Sequence, residues 1–149
     1  MEIKHLESFT LKGLKARTQN SKEMDATTAK IGDLWALFYQ DLGPKLEDGA
    51  NIYGVYTNYQ SDMNGEYDII ACTNGLPNYE SAELVEIKVE TGKYLLFKGK
   101  GEMPEAVISL WGEIWHYFSS EHCVHTRTYT TDFEYYKSDS EIEIYIAIQ

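Results

Sequence analysis

The last twenty-two residues, Thr128 to Gln149, constrain the fold more than any other stretch of this 149-residue chain. They read TYTTDFEYYKSDSEIEIYIAIQ. Apolar residues alternate at Ile142, Ile144, Ile146 and Ile148, with Glu143, Tyr145 and Ala147 between them. Period-two alternation is the mark of a strand with two unlike faces. Before the polar turn Lys137-Ser138-Asp139-Ser140, a second run places Asp132, Glu134 and Tyr136 on one face and Phe133 and Tyr135 on the other. The pattern predicts a closing hairpin with acids and tyrosines side by side on a face that the isoleucines do not occupy.

Upstream, residues around Phe9 to Arg17 alternate loosely and predict a strand. A polar stretch follows, and then a helix from Asp25 or Thr27 to Leu42, with Ile31, Leu34, Trp35 and Phe38 at helical spacing. Gly43-Pro44 stops it. Asn51 to Tyr59 and Glu66 to Thr73 are strands around the Asn64-Gly65 turn. Asn74-Gly75-Leu76-Pro77-Asn78 breaks the chain. Two strand segments, LVEIKVE and YLLFKGKG, fall between Ala82 and Gly101. Met103-Pro104-Glu105 opens a second helix that runs to about Phe118, its stripe formed by Val107, Leu110, Trp111, Ile114 and Trp115.

The two halves match one another. Leu34-Trp35 aligns with Leu110-Trp111, and the same offset lays Tyr53 on Tyr129, Asn58 on Glu134 and Tyr59 on Tyr135. With one residue less, Glu66 to Thr73 falls on the run from Glu141. Each half is strand–helix–strand–strand, so a duplication is expected, with pseudo-repeats at about 1–80 and 81–149 in one domain spanning 1–149. Each helix must bury its single apolar stripe. The predicted fold is α+β: the duplicated units join into one antiparallel sheet, two main helices lie on one face, and a ligand groove lies between the halves.

Bulk properties narrow the partners. The formal net charge is -11, so direct binding to phosphate backbones and to anionic membranes is disfavoured. Twelve Tyr and three Trp supply a palette of amphipathic rings suited to ligand contact. The two cysteines, Cys72 and Cys123, make no disulfide framework, and His122-Cys123-Val124-His125 does not have zinc spacing, so neither metal nor cofactor is expected. With no leader-like start and no apolar run of about 20 residues, the expected location is the cytoplasm.

The order of elements, the paired Leu-Trp helices, and Asp132-Phe133-Glu134-Tyr135-Tyr136 followed by Ile144-Tyr145-Ile146-Ala147-Ile148 resemble the GyrI-like small-molecule-binding domain. This is the effector-binding domain of some AraC-type and MerR-type transcription regulators, which also occurs free-standing. The resemblance covers essentially the whole chain. It implies a multidrug-type pocket, aromatic-lined, in which Glu134 faces the charge of a lipophilic cation and Tyr145 takes the place of the family's near-terminal tyrosine. Ile146-Ala147-Ile148 departs from the family's frequent Ile-Pro-Ile/Leu ending.

If the isoleucine face covers the helices, Glu134, Tyr136, Glu143 and Tyr145 share the opposite face. Through the repeat, Tyr56, Asn58, Asp68, Ile70 and Cys72 are their first-half counterparts. The candidate ligand-binding set is therefore Glu134, Tyr136, Tyr145, Glu143, Tyr56, Asn58, Ile70 and Trp111, with no catalytic and no metal residue assigned. Trp35, Trp111 and Trp115 belong to the helical core, with their edges flooring the pocket. A partly desolvated carboxylate is costly unless a cation meets it, and each tyrosine face adds ~0.5–2 kcal/mol of cation–π attraction. The expected partner is a lipophilic cationic small molecule, with a homodimer or a regulator protein as further partners. Two alternatives stand beside non-enzymatic binding. One is hydrolysis of strained electrophiles, with Glu134 as base and Tyr136 or Tyr145 as polarising acid. The other is a gyrase-inhibitor-like protein–protein module.

Overall fold

The computed structural model describes residues 1–76 and 83–149. Pro77, Asn78 and Ala82, and with them the expected boundary between the repeats, lie outside the described residues. The strands are β1 (Glu2–Leu6), β2 (Phe9–Gln19), β3 (Ile52–Thr57), β4 (Glu66–Thr73), β5 (Val85–Val89), β6 (Gly92–Lys100), β7 (Thr131–Ser138) and β8 (Glu141–Ala147). The helices are α1 (Asn20–Glu23), α2 (Ile31–Asp41) and α3 (Glu105–Ser119).

All eight strands join one antiparallel sheet in the order β1-β6-β8-β7-β3-β4-β2-β5. The order is symmetric about the β7–β3 seam. On one side β2-α2-β3-β4 forms a unit, and on the other β6-α3-β7-β8 repeats it. Short links then force the sheet to curl. Only Glu7 and Ser8 connect β1 to β2, and only Glu90 and Thr91 connect β5 to β6, yet each pair of strands lies at opposite ends of the order. The two links meet where the Ser8 amide donates to Thr91 Oγ1 at 3.0 Å. The result is a half-barrel.

Both faces of this sheet are buried. On the outer face, Leu110 and Ile114 of α3 pack on Leu95, Phe97, Ile142, Ile144 and Ile146. Leu34 and Phe38 of α2 pack on Leu14, Tyr67, Ile69 and Ala71. The inner face holds Leu11, Val55, Ile70, Cys72, Val89, Tyr94 and Phe133. Burial on both sides explains why β4 shows little alternation in sequence.

Two elements differ from expectation. β1 was not predicted, because an edge strand with mixed exposure carries no clear period. α2 starts at Ile31 rather than at Asp25 or Thr27. The Glu23 carboxylate at the end of α1 accepts the amides of Lys30 (2.9 Å) and Ile31 (3.0 Å), and so supplies an anionic cap at the positive end of α2.

A buried ion pair pins the chain after α3. Asp132 is fully buried, and it accepts from Arg127 Nη2 at 2.7 Å, from the Tyr59 phenol at 2.6 Å and from the Ala147 amide at 2.8 Å. Arg127 also forms a backbone bridge to Ile148. Removing one member of such a pair strands the other charge. Arg127→Leu is therefore expected to lower the unfolding free energy by about 3–5 kcal/mol in urea titration. A loss below about 1 kcal/mol would show that the pair does not hold this end of the sheet.

Candidate functional site

At the β7–β3 seam, Gly54 of β3 lies directly opposite Glu134 of β7. An ideal Cβ on Gly54 would sit 2.5 Å from Glu134 Oε1 and 3.2 Å from Trp35 Cζ2. The missing side chain is thus the space that the carboxylate occupies. Glu134 is only 2% exposed. Its Oε2 accepts from the Trp111 indole N–H at 2.7 Å and from the Tyr56 phenol at 2.8 Å. Its Oε1 accepts from the Tyr136 phenol at 2.9 Å. None of the ion pairs among the described residues includes Glu134.

Rings enclose this carboxylate. Tyr56 meets Trp111 edge-on at 5.2 Å, and Tyr136 meets Trp35 edge-on at 5.3 Å. Above them, Trp35 stacks on Tyr39 and Trp111 lies against Trp115, at 6.0 and 6.1 Å. Tyr39 and Trp115 reach solvent, 53% and 37% exposed. The offset that matches Trp35 with Trp111 also matches Tyr39 with Trp115, so two equivalent aromatic pairs, one per helix, lead from the surface down to Glu134. A surface hollow of about 270 Å³ lies elsewhere, lined by Lys98, Lys100, Lys137 and Glu141, and Glu134 is not part of it.

Electrostatics follow from this burial. Desolvation pushes the Glu134 carboxyl above the ordinary carboxylate range, and the hydrogen bonds from Trp111, Tyr56 and Tyr136 oppose that rise. Burial, then the Glu134 charge, pushes the Tyr56 and Tyr136 phenols upward, so both stay protonated as donors at neutral pH.

The structure unites part of the sequence-derived set and separates the rest. Glu134, Tyr136, Tyr56 and Trp111 converge. Glu143, Tyr145, Asn58 and Ile70 do not join them. In β8, Tyr145 stacks on Phe133 at 4.6 Å and donates to Glu143 Oε1 at 2.8 Å, and both project to the inner side of the curl. Ile70 is in the inner core beside Cys72. Asn58 follows β3 with a positive φ of 52° and donates to Asp68 Oδ2 at 2.8 Å.

One local feature produces this exchange of faces. Ser138 pairs with Glu141, but Tyr136 pairs with Ile142 and Glu134 with Ile144, so the register slips by one residue at Lys137. Continuing the Ser138–Glu141 register would have set Glu134 beside Tyr145 and Tyr136 beside Glu143, the expected grouping. A bulge that adds one residue moves everything beyond it to the other face. Glu134 and Tyr136 therefore lie on the isoleucine face, beneath the helices.

The repeat is corrected by the same ladders. Tyr56 pairs with Ile69 as Glu134 pairs with Ile144, and Ile69 matches Ile144 in the alignment of β4 on β8. Tyr56, not Asn58, is thus the counterpart of Glu134, and it bonds to it across the seam. Gly54 and Trp35 complete the site. The Trp35–Trp111 match was the signal for Trp35, whereas Gly54 had none in a single sequence.

A half-barrel with paired helices over a buried acid and its rings defines a GyrI-like effector-binding protein. Residues 2–148 match the model of the Cass2 family, described as integron-associated effector binding protein, and the chain belongs to that family. An integron cassette protein from the mobile metagenome of Vibrio cholerae is 49% identical, with a TM-score of 0.94 over 99% of this chain and 95% of that one. YobU of Bacillus subtilis (strain 168), a candidate transcriptional regulator, is 32% identical over 99% of this chain and 96% of its own length. SAV2435, solved with tetraphenylphosphonium bound, shares the fold at a TM-score of 0.72 and 21% identity, over 99% of this chain and 93% of that one.

Gly54→Ala is expected to push the carboxylate and Trp35 apart and to destabilise the protein by about 1–3 kcal/mol. It should also change the near-ultraviolet signal of the tryptophans. A variant with wild-type stability and spectrum would show that the seam has slack.

Proposed function

We propose that this protein binds hydrophobic cationic small molecules between α2 and α3, over Glu134, and acts as a sensing or sequestering component without catalysing a reaction. The observation that carries this reading is a buried carboxylate held by three neutral ring donors and, among the described residues, by no cation. Burial of a charge with no opposite charge costs free energy that a bound cation offsets. The rings around it supply cation–π attraction and large apolar area, which tolerate many ligand shapes. Two relatives point the same way. SAV2435 takes a lipophilic phosphonium ion, and YobU carries the description of a candidate regulator.

Binding proceeds by exchange. Glu134 is buried beneath the rings, so a ligand enters as the outer rings of the two aromatic pairs part. Tyr39 and Trp115, already at the surface, are the first to be met. Glu134 stays in place against Gly54 and supplies the charge.

Titration of tryptophan fluorescence with tetraphenylphosphonium or a rhodamine dye tests this directly. Wild-type protein is expected to bind, and Glu134→Gln to bind at least about tenfold more weakly. Equal affinity of the two proteins would refute the role of Glu134.

The raised carboxyl also sets two pH dependences. Protonation removes the charge, so cation affinity should fall as pH drops through the folded-state value, while the affinity of Glu134→Gln stays flat. Stability has the opposite sign. With the folded value above the unfolded one, the contribution is complete below the unfolded value and is lost as pH rises through the folded one. Ligand-free Glu134→Gln is therefore expected to gain stability relative to wild type as pH rises through that window, measured by thermal melts. Parallel curves would contradict the assignment.

A further inference from the structure

Two carboxylates on one face of β7, two residues apart, are satisfied in different ways. Asp132 receives a charged N–H donor, Arg127 Nη2 at 2.7 Å, and that guanidinium lies 4.3 Å from the Tyr129 ring centroid. Glu134 receives an indole and two phenols, all neutral. A carboxylate has about four lone-pair positions. At Glu134 three are filled, and Oε1 is crowded by Gly54, where an added Cβ would be only 2.5 Å away.

A ligand cation therefore meets the charge of Glu134 through the rings rather than through a direct bond to oxygen. Each ring that donates to an anion is also made more electron-rich, which strengthens its face toward a cation. A protonated amine entering this space would leave its N–H donors unsatisfied, and each unmade bond carries a desolvation cost. An ion whose charge is sheathed in alkyl or aryl groups has no such donors to lose.

We infer that the groove discriminates by donor count: it selects quaternary ammonium and phosphonium ions over protonated amines of similar size. This rests on the reading of the groove as a cation site and adds a chemical rule to it. The discriminating residues are Tyr136, Tyr56 and Trp111, through the lone pairs they occupy.

The experiment compares decyltrimethylammonium with decylammonium at neutral pH by calorimetric titration of the full chain, below the micellar range, in wild type, Glu134→Gln, Tyr136→Phe and Tyr56→Phe. Circular dichroism first establishes that each variant is folded. In wild type the quaternary ion is expected to bind about tenfold tighter or more. Tyr136→Phe keeps the ring against Trp35 but frees a lone pair on Oε1, so decylammonium should gain relative to the quaternary ion and the ratio should narrow several-fold. Tyr56→Phe frees a lone pair on Oε2 and repeats the test should Tyr136→Phe fail to fold.

Equal binding of both ions to wild type, with both weakened in Glu134→Gln, would overturn the discrimination and leave the cation groove intact. A quaternary preference unchanged in both phenylalanine variants would trace it to the extra methyl groups and would also overturn the rule. Binding of neither ion would sink the groove reading itself, and the inference with it.

Discussion

The structure depends on keeping one charged group, the Glu134 carboxylate, dry at the middle of an eight-stranded sheet. A buried carboxylate without donors would be untenable, and three neutral donors make it tolerable. Those donors come from three elements: Tyr56 on β3, Tyr136 on β7 and Trp111 on α3. Their positions rest in turn on the two helix cores and on the absence of a side chain at Gly54. Packing and polar satisfaction are therefore a single problem here, solved at the β7–β3 seam.

The same arrangement shapes the proposed function. A cavity left open around a carboxylate would fill with water, and a ligand would then have to displace hydration from the charge. Here the rings already exclude water from Glu134. In the proposed binding mode a ligand replaces ring contacts with its own aryl or alkyl contacts, apolar for apolar. What distinguishes the bound state is the added charge. Asp132 shows the alternative on the same strand, where Arg127 supplies an internal cation.

Much of this was legible in the sequence, for identifiable reasons. Helical spacing marked the packing faces of α2 and α3, and the isoleucine period marked β8 as one side of a core. Matching Leu34-Trp35 with Leu110-Trp111 pointed to the order of elements that the two halves of the sheet share. Glu134, Tyr136, Tyr56 and Trp111 were all named. The faces were not legible, because a single extra residue at Lys137 reverses the relation between β7 and β8, and a bulge leaves no compositional trace. Ungapped alignment also misassigned Asn58, since β3 and β7 differ from the helices in offset and only ladder pairing shows it. Edge strand β1 escaped because its polarity does not follow its burial: Ile3 stands on the exposed face, and Lys4 shares the half-buried face with Leu6.

The seam between β3 and β7 has a further meaning. Tyr56 and Glu134 occupy equivalent places in the two halves and touch each other at the centre. Two identical subunits related by a twofold axis would carry the same residue at both places. They would bring together two acids, which repel, or two phenols, which hold no charge. A single chain whose matching halves differ at this place can set an acid on one side of the axis and its donor on the other. The difference between the two halves is what lets a near-symmetric scaffold carry one charge at its middle.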